Sequence, residues 1–110
     1  MNFGHYVAWF FGGAFSLNAV PHIVAGSMGR AFQSPFAKPP GEGLSSSTVN
    51  VAWGFFNLFV AWLLLGTGSF DLRLPDNALV AGLGAFVLAM LMGRRFGRFN
   101  GGNLDDRPPE

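Results

Sequence analysis

Five side chains stand at spacings that suit joint chemistry: Asn18 with His22, and Asn50 with Trp53 and Asn57. Residues three, four and seven apart on a helix share a face, so each group converges if its segment is helical. A carboxamide both donates and accepts hydrogen bonds, and an imidazole exchanges a proton near neutral pH. Among apolar neighbours such groups have two uses. They bridge helices with hydrogen bonds worth typically about 0.6 to 2 kcal/mol each. Alternatively they line a ligand site or a polar pathway, with His22 handling protons. Trp53, Phe55, Phe56 and His22 together would also suit a quinone or another lipid-soluble ligand.

Other chemistry is missing. The 110 residues include no cysteine, which removes disulfides, thiolate metal sites and thiol nucleophiles. The acidic residues fall outside the long apolar runs, where an ion-coupled transporter usually keeps a carboxylate. There is no GxSxG elbow, P-loop or zincin motif, and the glycine pairs at 66/68 and 82/84 do not extend to a dinucleotide fingerprint. His22 acting as a base on a lipid substrate is the one enzymatic option left. Two histidines invite a haem, but His5 and His22 would lie about 25 Å apart along one helix. A bis-histidine haem would need an oligomer or a partner's ligand, so no cofactor is required. A net charge of +1 with no basic stripe speaks against nucleic acid.

The elements that must carry these residues are apolar. Half the chain is hydrophobic and 12% is charged, against about 25% charged in an ordinary soluble domain. The expected fold class is all-α and integral to a membrane: three transmembrane helices with a long Pro/Gly-rich first loop. The spans are expected at about 3–25, 49–65 and 77–93, in one domain over 1–95, with a polar C-terminal tail over 96–110. The first span lacks the basic leader of a signal peptide, and Pro21 predicts a kink or an early helix end. One residue of Ser45–Thr48 should cap the second helix, with Gly66 and Gly68 marking its end. Asp76 should cap the third, which Arg94 and Arg95 close.

Basic residues bias orientation toward the cytoplasm. Arg94, Arg95, Arg98 and Arg107 follow the third span, so the C-terminus is expected inside and the N-terminus outside. Arg30 and Lys38 of the first loop then also fall inside. Arg30, Lys38, Arg94 and Arg95 suit lipid phosphate or an anion. Small residues at four-residue spacing, Gly4, Ala8, Gly12 and Ser16 on the first span and Ala81, Ala85, Ala89 and Gly93 on the third, form expected packing faces. The loop from Gly26 to Thr48 is long for a helical hairpin. Its Met28, Phe32, Phe36 and Leu44 should prefer burial, so it should fold back and cap the polar cluster.

The runs PHIVAG, GRAFQSPFAKPPGEGLSS and NVAWGFFN, within about residues 16–65, resemble an uncharacterised family of small bacterial integral membrane proteins. Pro35 to Ser46 is the distinctive part. The resemblance implies a bacterial inner-membrane location and carries over no functional residue. The expected function is a non-enzymatic accessory or structural subunit of a membrane assembly, in contact with lipid and held in a homo-oligomer or larger complex. The alternatives are a small oligomeric channel or carrier for a polar or anionic solute using the Asn/His cluster, and a binder of a lipid-soluble ligand.

Overall fold

The structure, a computed structural model, describes residues 2–102. The order is α1 (Phe3–Ser27), β1 (Phe32–Gln33), β2 (Leu44–Ser45), α2 (Ser47–Leu65) and α3 (Pro75–Asn100). Each of the three helices is long and apolar enough to span a membrane by length and composition. The expected all-α class needs one amendment, a two-residue antiparallel ribbon pairing Phe32 with Ser45 and Gln33 with Leu44. Residues 103–110, which include Arg107 and most of the expected tail, lie outside the described residues.

Local chemistry sets the helix ends. The Asn2 side chain accepts from the Gly4 N–H at 2.7 Å and opens α1. Pro21 does not end this helix, which runs six residues further. Its end is a glycine turn. Gly29 takes a φ of 77°, the Arg30 N–H donates to the Ala25 carbonyl at 2.8 Å, and the Gly29 N–H donates to Gly26 at 3.0 Å. Ser46 caps α2 by accepting from the Val49 N–H at 3.2 Å. For α3 the cap is Leu74, with Pro75 in the first turn and no side-chain cap bond. Asp76 instead accepts from the Tyr6 hydroxyl on α1 at 2.7 Å. Nor does α3 stop at Arg94 and Arg95. It continues through Asn100 to a left-handed Gly101, so the expected tail begins as helix. At 26 residues it measures about 39 Å, longer than a hydrocarbon core of about 30 Å.

The helix α1 is the shared wall. Both α2 and α3 pack along it and hardly meet each other. Close approach comes from missing side chains. A Cβ on Gly13 would sit 1.9 Å from the Ala81 carbonyl oxygen, and one on Gly84 would sit 1.8 Å from that of Phe10. These backbones therefore touch directly, as helices in lipid do where small residues permit it. On the other side, Gly54 faces Ile23 and Ala19, while Gly26 faces Ser47 and Val51. Of the small residues singled out above, Gly12 lies against Leu65 and Ala81 is buried at the α3 crossing. The Ser16 hydroxyl bonds back to the Gly12 carbonyl at 2.9 Å. Ala8, Ala85 and Ala89 are half-buried, and Gly4 and Gly93 are exposed.

Candidate functional site

The polar residues converge where α1, α2 and the first loop meet. Two carboxamides link the helices first. Asn18 donates through Nδ2 to Asn57 Oδ1 at 2.9 Å, and Asn57 donates through Nδ2 to the Trp53 carbonyl at 2.7 Å. One turn nearer the loop, His22 Nδ1 lies 2.7 Å from Asn50 Oδ1. Asn50 Nδ2 faces three carbonyls, those of Phe32 at 3.2 Å, Ser45 at 3.2 Å and Ser46 at 3.0 Å. Carbonyls only accept, so the amide nitrogen belongs on their side and the amide oxygen belongs on the histidine side. The His22 Nδ1 must then be the donor, which leaves the lone pair of a neutral ring on Nε2. Asn50 and Asn57 are 0% exposed and His22 is 2% exposed.

The first loop closes over this network. Its ribbon brings the Phe32 and Ser45 carbonyls onto Asn50, and the hydroxyls of Ser34 and Ser45 bond each other. The Phe32 ring stands 5.5 Å from the His22 ring and 4.9 Å from that of Phe96 on α3. Gln33 is buried and accepts through Oε1 from Asn100 Nδ2 at 3.0 Å. The extra length of α3 therefore serves to meet the loop. Of the four apolar loop residues expected to seek burial, only Phe32 does so in part. Met28, Phe36 and Leu44 are exposed, and so offer apolar surface beside the helices.

A cavity of about 120 Å³ lies beside the network, bounded by Asn18, His22, Ser34, Trp53, Arg95 and Phe96 among others. Asn18 Oδ1 and Trp53 Nε1 are buried without a hydrogen-bond partner. Arg95 brings the formal charge, and its guanidinium also stands 6.0 Å from the Phe99 ring. Arg30, Lys38 and Arg94 are exposed at the same end of the bundle, where the first loop meets α3. Ser34, Phe96 and the placement of Arg95 were not legible in the sequence, because nothing local ties the loop to the last turns of α3. Among the described residues no group of His, Asp or Glu is placed to hold a metal ion.

A second polar set pins the opposite end. Trp9, 1% exposed, donates through Nε1 to the Thr67 carbonyl at 2.7 Å. The Asp71 N–H donates to buried Asn77 Oδ1 at 2.9 Å. In the second loop, the Arg73 guanidinium and then its backbone N–H hold the Asp71 carboxyl below the usual carboxylate range. His5 stacks on Trp9 at this end, far from His22 along α1. One chain therefore does not bring the two imidazoles together.

Comparison with protein-family models, curated proteins and solved structures found no match.

Proposed function

We propose that this chain is a multi-pass protein of a bacterial inner membrane and serves as a non-enzymatic accessory or structural subunit of a membrane assembly. The N-terminus lies outside and the C-terminus in the cytoplasm. The orientation is supported by the basic residues gathered around the first loop and the end of α3, against Arg73 alone at the other end among the described residues, where Asp71 pairs with it at 3.0 Å.

The observation that carries the subunit reading is the open flank of the bundle. Because α2 and α3 dock on α1 and hardly on each other, each keeps a broad apolar face. Phe55, Phe59 and Trp62 of α2 and Leu83, Phe86 and Met90 of α3 are all exposed. Lipid covers such faces, and so do the helices of a partner. The channel reading draws less support. Asn50, Asn57 and His22 are engaged in hydrogen bonds rather than left open to a solute. The deciding experiment is gentle extraction from the native membrane followed by native mass spectrometry. A hetero-complex of fixed stoichiometry is expected. A monodisperse monomer, or a homo-oligomer with no other protein, would reject the accessory role.

A further inference from the structure

We propose that the cavity beside the Asn/His network, with the apolar groove that continues from it, binds a single-chain fatty acid. The carboxyl group sits in the cavity and the hydrocarbon chain lies in the groove. The site does not depend on the subunit role, since every residue in it belongs to this chain.

Two residues of the cavity wall carry polar atoms without partners. Buried polar atoms are nearly always paired, yet here an acceptor, Asn18 Oδ1, and a donor, Trp53 Nε1–H, are both without partners. Both residues line the same 120 Å³ space, room for a carboxyl group or several waters. Arg95 adds a guanidinium at the cavity, and among the described residues no carboxylate lies within salt-bridge distance of it. A carboxyl group answers every member of this set across its two protonation states, though not all of them in one. As an acid it donates to Asn18 and accepts from Trp53. As a carboxylate it accepts from Trp53 and from the Arg95 fork, the geometry that arginine matches best. A phosphodiester stays ionised near neutral pH, has no protonated form to donate, and would never answer Asn18 Oδ1. A quaternary ammonium would meet Arg95 with the wrong sign, and an alcohol has no use for the charge.

The groove supplies the tail's place. Phe11, Ala14, Phe15 and Leu88 line an apolar trough of about 210 Å³ between α1 and α3, and Asn18 and Met92 border both it and the cavity. From Asn18 to Phe11 the trough leads away from the basic end of the bundle. That is the direction in which a membrane amphiphile lies, with its head at the interface and its chain toward the bilayer centre.

The test is tritiated palmitate binding to the full chain in phosphatidylcholine nanodiscs, read by scintillation proximity. Saturable binding of one palmitate per chain is expected, displaced by unlabelled palmitate and not by hexadecanol. Arg95→Gln, an exposed position, should keep the helical circular dichroism and weaken binding by about tenfold. Leu88→Trp should block the trough and also lower affinity. Counts no higher than empty nanodiscs, equal competition by hexadecanol, or unchanged affinity in Arg95→Gln would each overturn the proposal. Displacement by phosphatidylglycerol but not by palmitate would replace the carboxyl head with a phosphate and overturn it as well.

Discussion

Asn50→Leu gives the sharpest test of the network. The substitution keeps the branching and the number of side-chain heavy atoms and removes every polar contact of the amide. The His22 Nδ1–H then loses its acceptor in a fully buried place, at a cost of about 1–3 kcal/mol. The Phe32 and Ser45 carbonyls lose a donor at 3.2 Å each. The Ser46 carbonyl keeps the backbone N–H of residue 50 at 3.0 Å and so loses little. Interhelical bonds in membranes average about 0.6 kcal/mol, and leucine regains some apolar packing, so the net loss should be about 2–3 kcal/mol. That is roughly a 30- to 150-fold shift in the folding equilibrium. Reversible unfolding in mixed micelles of mild detergent and dodecyl sulfate, followed by circular dichroism, reads it directly. The decisive quantity is the coupling with His22→Leu. The double variant removes the orphaned donor along with its acceptor, so it should be more stable than the two single losses predict by about 1 kcal/mol or more. Additivity within about 0.3 kcal/mol would refute the reasoning, because the 2.7 Å contact would then bind nothing.

The crossing of α1 and α3 makes a second forecast in the same assay. Gly13→Val and Gly84→Val should each destabilise by more than about 2 kcal/mol, because the new Cβ meets a backbone carbonyl that cannot move aside. Gly82→Ala meets open space and should be neutral or raise stability by up to about 1 kcal/mol; equal losses at all three positions would refute the crossing. Topology is open to single-cysteine labelling, since the chain has no cysteine of its own. Ser69→Cys should react with an impermeant maleimide in intact cells and Glu42→Cys only after lysis, and the reverse pattern would overturn the orientation. Acid should weaken the second loop through Asp71. Its folded pKa is held below the ordinary 3.8, so its contribution is present above that value and is lost as pH falls through the lower folded pKa. An acid titration of stability should therefore be shallower below pH 4 in Asp71→Asn than in the native chain, and identical curves would remove the Arg73 contact as its cause.

Much of the architecture was legible because its causes are local. Long charge-free runs located all three helices, and the four-residue step from Asn18 to His22 and the seven-residue step from Asn50 to Asn57 placed partners on matching faces. The serine cluster before Val49 announced the α2 cap. What failed depended on distant parts. Arg94 and Arg95 looked like a helix end, and Asn100 could not announce its bond to Gln33, 67 residues away. Of the two outcomes expected at Pro21, a kink or an early end, the early end does not occur: α1 runs on to Ser27 and the glycine turn at Gly29. A regular ladder of small residues suggested the packing faces, while the closest approaches fall at Gly13, Gly54 and Gly84, which depend on where the axes cross. Buried Asn77 and Trp9 escaped notice because their partners, the Asp71 N–H and the Thr67 carbonyl, are backbone groups that no residue type reveals.

The arrangement in which α2 and α3 both lean on α1 also bears on how the protein is made. The chain leaves the ribosome N-terminus first, so α1 is already made when α2 arrives, and the two can pair before α3 emerges. Each later helix finds its contact face on α1 already made, and no early pairing must be broken to admit a late arrival. The loop over His22 and Asn50 is finished last, once the final turns of α3 supply Phe96 and Asn100. A chain stalled before that point would hold a docked helix pair with an unsealed polar network.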